Sequence, residues 1–128
     1  MQRFLLICLA GAAGTGIRYL LGSWTARAIG GSFPWGTLLV NLAGCFLISA
    51  IAWVALARTD FPETTRLVLT TGFMGGLTTY SSFNYETMRL IQTGEARSGA
   101  AYVAATLFGC FAMGLLGLAL GRQIAGTG

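Results

Sequence analysis

Four apolar runs, each long enough to cross a bilayer as a helix, take up nearly the whole chain and leave little sequence for anything else. Their approximate bounds are 4–26, 34–57, 67–88 and 98–121. A hydrocarbon core of about 30 Å needs roughly 20 apolar residues in helical form. With no Lys, no His and only 9% charged residues, the chain lacks the polar side chains that coat a soluble domain. The links IGGSFP, RTDFPE and QTGEAR carry the Gly, Pro and charged residues of interfacial turns. The expectation is therefore an all-α membrane protein, one domain over residues 1–128, with four transmembrane helices. The opening MQRFLLICLAGAAG has the outline of a cleaved signal peptide, with Arg3 ahead of an apolar run and small residues after it. Cleavage would leave three spans, and retention as the first helix is the expectation.

Charge adds a statement about orientation. All eight cations are Arg. Four spans put Arg3, Arg58, Arg66 and Arg122 on one side and Arg18, Arg27, Arg89 and Arg97 on the other. Four against four leaves the positive-inside rule without a preference. Either Arg18 and Arg66 lie too deep to count, or the protein inserts both ways. Two oppositely oriented copies would build from two chains the inverted repeat that many transporters encode in one. Side chains fill the centre of a four-helix bundle, so a permeation path is expected at or beside a subunit interface.

The third run contains the most polar cluster, GGLTTYSSFNYE, residues 75–86. Gly is poorly held in a helix and Thr hydroxyls compete for backbone groups, so the helix is expected to unwind where Gly72, Gly75 and Gly76 precede Leu77, Thr78 and Thr79. Carbonyls freed in lipid require protein, water or an ion. Oxygens without a nearby carboxylate suit a hard cation such as sodium. The alternative is that Gly72 and Gly76 form a close-packing GxxxG pair, as Gly117 and Gly121 are read to do. Tyr80 and Phe83 share one helix face, either as packing residues or with their positive ring edges turned to a small anion. Thr79, Ser81, Ser82 and Asn84 add donors around them.

Other polar residues inside spans are costly and so informative. Asn41 either donates to an anion or bonds across to a neighbouring helix. Arg18 either snorkels or draws anions into a vestibule, and Glu86 either pairs with an Arg or lines an entrance. The absence of His removes the usual zinc and haem sites. Cys8, Cys45 and Cys110 lie on three different spans without CxxC spacing and read as reduced packing residues. With neither a nucleotide loop nor a nucleophile constellation, an enzyme is not expected, nor is nucleic acid a partner.

Taken together, GTGIRY, GTLLVNLAGCFLI and GFMGGLTTYSSF resemble the bacterial fluoride channel family known as Fluc or CrcB, over nearly the whole length. The resemblance implies an antiparallel dual-topology homodimer of four-helix protomers with a broken third helix. It also implies residence in the bacterial inner membrane as a multi-pass protein, and passive fluoride export that relieves toxicity. Two fluoride pathways per dimer would be lined by Asn41, Phe83 and the residue at position 80. A structural, untransported sodium ion would be held at the dimer centre by the backbone carbonyls of Gly75 and Thr78. One position departs from the pattern: where the family reads TTFS this chain reads TTYS, so Tyr80 stands for Phe, and its hydroxyl is expected to slow the flux. The rivals are a small multidrug-resistance-type proton-coupled exporter, which requires a first-span Glu absent here, and a non-conducting accessory membrane subunit.

Overall fold

A computed structural model describes residues 1–126 of the chain, and every regular element among them is helical. Helix α1 (Gln2–Ala28), α2 (Trp35–Ala57) and α6 (Ala96–Ala125) are each long and apolar enough to cross a membrane. Both α1 and α6 run a few residues beyond the apolar runs at each end, because Gln and Arg continue a helix as well as Leu does. Between α2 and α6 the helix is assembled in pieces. Short α3 (Glu63–Leu67) leads into a wider π-helical stretch (Val68–Met74) and a last turn, α4 (Gly75–Leu77). The chain is extended at Thr78 and Thr79 and resumes as α5 (Tyr80–Gln92).

The break falls at Thr78 and Thr79, immediately before Tyr80 and at the C-terminal edge of the stretch expected to unwind. Gly72, Gly75 and Gly76 are helical, and the interruption falls after Leu77. The glycines serve close approach instead. A Cβ on Gly76 would overlap the Gly11 backbone, and one on Gly72 would come within 2.8 Å of the Ile7 carbonyl. Gly14 on α1 answers them, sitting against Phe73 and Leu77 backbone atoms. The GxxxG reading thus holds for Gly72 and Gly76.

These pairings also fix direction. Residues 7 and 11 meet 72 and 76 in the same order, so α1 runs parallel to the first part of the broken segment. Gly109, Gly117 and Gly121 of α6 meet Leu42, Phe46 and Ala50 of α2, again in order, so α2 and α6 are parallel. Polar ties hold the ends. Arg3 pairs with Glu63 at 2.9 Å, and Arg58 donates to the Ile124 carbonyl. At the opposite end Ser32 donates to Glu95, and Arg89 donates to the Ser32 carbonyl. Gly30, Gly31 and Gly94 have positive φ, the left-handed geometry that turns the chain there.

The interior is small. One cluster joins Leu38, Phe83, Leu90 and Tyr102, and a second joins Val40, Met74 and Leu77. Large apolar side chains elsewhere, including Phe4, Leu9, Tyr19, Leu20, Phe108 and Phe111, face outward. Such a surface suits lipid or another apolar chain.

Candidate functional site

The break is held by four side chains, each of which takes a backbone group the helix has released. Asn41 of α2 donates from Nδ2 to the Thr79 carbonyl at 3.1 Å, and its Oδ1 accepts from the Thr79 N–H at 2.9 Å. Of the two roles open to it in the sequence, it performs the cross-helix one, and one amide N–H remains to donate elsewhere. Thr79 caps α5: its Oγ1 accepts from the Ser82 N–H at 3.2 Å. Arg18 is tied to the break. Its Nε donates to the Gly76 carbonyl at 3.1 Å and its Nη1 reaches Ser82, while Thr15 also donates to the Gly76 carbonyl.

The same bonds explain which carbonyls stay open. In an unbroken helix the N–H of Thr79 would close the Gly75 carbonyl, and that of Ser82 would close Thr78. Here those two donors are turned to Asn41 Oδ1 and Thr79 Oγ1. Gly75 faces open space on its Cα side, with only the Thr70 carbonyl near the edge of contact. The oxygens of Gly75 and Thr78 are thus bare of their helical donors, a hard-oxygen set fitting sodium.

Beside the break lies an open-sided cavity of about 330 Å³ lined by Asn41, Thr78, Thr79, Tyr80 and Phe83, and by Thr106, Cys45 and Cys110. Of the candidate pathway residues, Asn41, Thr79, Tyr80 and Phe83 come together there. Ser81 and Ser82 do not. Ser81 is exposed and paired with the Thr79 hydroxyl, and Ser82 is engaged by Thr79 and Arg18. Phe83 is buried, whereas Tyr80 is 77% exposed, with its ring 5.5 Å from that of Phe83. A row of rings continues inward, Phe83 to Tyr102 at 5.2 Å and Tyr102 to Phe33 at 5.5 Å.

Glu86 stands at the far end of that row and is bound by hydroxyls rather than by Arg. Thr37 donates to one carboxylate oxygen at 2.7 Å and Tyr102 to the other at 2.8 Å. It also lines a small cavity of about 170 Å³ under the loop, with Arg89, Ser32 and Phe33. Thr37, Tyr102 and Thr106 are site residues that sequence reading passed over. The signal was present: positions 102, 106 and 110 recur every fourth residue as Tyr, Thr and Cys in an apolar run. Thr106 is the more telling, because its buried Oγ1 has no hydrogen-bond partner.

Known proteins share the sequence that builds this bonded break and its ring-lined, mainly apolar cavity. A family model described as CrcB-like protein, Camphor Resistance (CrcB), matches residues 5–118. The chain belongs to the CrcB family. Its relatives include proteins named fluoride-specific ion channel FluC. The one from Anaeromyxobacter dehalogenans is 49% identical, covering 98% of this chain and 100% of its own length. Those from Sorangium cellulosum, at 47% (97% and 98%), and Geobacter metallireducens, at 44% (97% and 100%), match nearly as fully. This CrcB-family chain is accordingly a multi-pass membrane protein, and its family is one of channels rather than enzymes.

Proposed function

We propose that the protein is a fluoride-selective passive channel of the bacterial inner membrane that lets fluoride out of the cytoplasm. The observation that carries the reading is the cavity in which the orphaned Thr106 hydroxyl shares the wall with Asn41, Tyr80 and Phe83. A buried hydroxyl without a partner is costly, and a small hydrogen-bond acceptor is the guest that relieves it. The spare Asn41 N–H and the electropositive ring edges offer further weak contacts. Names of full-length relatives at 44–49% identity support fluoride as that guest.

The chain's own residues divide the work. Asn41, Arg18 and Thr79 hold the break open, and Phe83 and Tyr80 narrow the passage. Thr106 presents a hydroxyl to a dehydrated anion, and chloride, being larger, matches these fixed dipoles less well. Export needs no coupling carboxylate. Hydrogen fluoride enters neutral and dissociates in the less acidic interior, and a negative-inside potential drives the anion out by about 2.3 kcal/mol per 100 mV.

The cavity is open-sided, and the sequence has balanced charge. Both favour closure by a second copy, which we read as an antiparallel, dual-topology homodimer with two pathways. Parallel pairing of α1 with the broken segment and of α2 with α6 supports four crossings, the broken segment being the third. The Gly75 and Thr78 carbonyls of each copy would hold the structural sodium ion. Its bound charge would offset the aligned carbonyl dipoles without crossing the membrane.

The test is efflux from liposomes loaded with potassium fluoride, started by a potassium ionophore and followed with a fluoride electrode beside a chloride control. Rapid release of fluoride alone is expected. Equal release of chloride, or none of either ion from both this protein and its Tyr80→Phe form, overturns the reading.

A further inference from the structure

The cysteines read from sequence as packing residues include two that the fold brings to the same walls. Cys45 on α2 and Cys110 on α6 come from parallel, closely packed helices, and both line the same two cavities. Both are free and partly buried. They form the partition between two cavities: the one holding Asn41 and Phe83, about 330 Å³, and an apolar one of about 440 Å³ reaching Trp53 and Leu56. The pair is thus reachable from two sides and lies on the wall of the proposed pathway.

Ligand chemistry selects the guest. Thiolates prefer soft metals. Among the described residues no group of three or more His, Cys, Asp or Glu side chains gathers to complete a tetrahedral zinc site. Two thiolates alone satisfy a soft cation that favours two ligands in line. Charge narrows the choice further. Neither cavity is lined by an Arg, so a monovalent cation would leave a net negative bis-thiolate uncompensated in an apolar setting, which is unfavourable. A divalent ion gives a neutral complex.

We propose that Cys45 and Cys110 chelate a soft, linearly coordinating divalent cation of the mercury(II) type, and that the bound ion obstructs the cavity holding Asn41 and Phe83. Two S–H bonds and the ion's two bonds to chloride or water break, two metal–sulfur bonds form, and two protons and the displaced ligands leave to water, with no change of oxidation state. The obstruction rests on the channel reading above, whereas the chelation does not.

The test uses the purified full chain treated with mercuric chloride, washed with excess monothiol, passed through size exclusion and analysed for mercury per chain. A chelated ion resists the wash, while one held by the lone exposed Cys8 does not. The expected result is a single retained mercury in the parent and in Cys8→Ser, and none in folded Cys45→Ser or Cys110→Ser. No retention by the parent, or retention by either of those two variants, overturns the chelate. In liposomes the filled parent is expected to lose fluoride efflux to the level of protein-free vesicles and to regain it with a dithiol. Undiminished efflux from mercury-filled protein overturns the obstruction. Absence of fluoride efflux from both the parent and its Tyr80→Phe form defeats the channel reading, and the mercury count still decides the chelate.

Discussion

Replacing Asn41 by Ala removes both bonds to Thr79 and leaves its N–H and carbonyl without their partner at membrane depth. Orphaned buried groups cost about 1–3 kcal/mol each, which sets an upper total of about 6 kcal/mol. Hydrogen bonds measured inside membranes average about 0.6 and reach about 1.7 kcal/mol, which sets a lower total of about 1 kcal/mol. The Thr79 groups front an open-sided cavity in which water can re-satisfy part of the loss, so about 2–3 kcal/mol is expected. For a chain of this size that corresponds to a melting shift on the order of 10 °C. The assay is thermal unfolding of the detergent-purified protein followed by loss of the folded size-exclusion peak. Thr79→Ala, which removes the α5 cap and the hydroxyl contacts to Ser81 and Ser82 but leaves both Asn41 bonds, is the comparison and should lose about 1 kcal/mol. An Asn41→Ala protein that melts with the parent but no longer passes fluoride would refute the reasoning, because Asn41 would then be acting on the ion and not on the backbone.

Three further outcomes are expected. Thr106→Val removes a hydroxyl that has no partner, so it should leave the melting temperature unchanged or raise it, by up to about 1 kcal/mol of stability. It should nonetheless slow fluoride efflux; unchanged efflux would detach Thr106 from the pathway. Gly117→Ala drives a methyl into the Phe46 backbone and should cost about 1–3 kcal/mol or more, whereas Gly16→Ala, with nothing nearby, should be close to neutral or mildly stabilising; equal melting of the two would contradict the close α2–α6 contact. Tyr80→Phe is expected to pass fluoride faster in the liposome assay, and equal or slower flux would show that the hydroxyl does not impede the path.

The long spans were legible because apolar length is an unambiguous signal, and α2 is within a residue of its expected bounds. The break was legible in chemistry and in place, just ahead of Tyr80, but its extent was not. Gly72 and Gly76 read as helix breakers in isolation, yet they stay helical because α1 packs into the space their missing side chains leave. The deciding interaction is the Asn41 amide 38 residues away, which no local pattern reports. Asn41, Thr79, Tyr80 and Phe83 were found as polar or aromatic exceptions in apolar surroundings. Tyr102 and Thr37 were missed because their role is to bind Glu86, and such a partnership appears only when three helices meet.

Apart from Thr79 in the break itself, the groups that hold the break, Thr15, Arg18 and Asn41, all precede it in the chain. During synthesis the ribosome therefore delivers α1 and α2 before the segment that depends on them. That segment's open backbone is poorly tolerated in lipid by itself. It can leave the insertion machinery into a prepared cradle rather than into bare hydrocarbon. Exchanging the order of the first and second halves of the gene would keep every contact available to the finished fold but deliver the broken segment first, and biogenesis rather than final stability is where that rearrangement would fail.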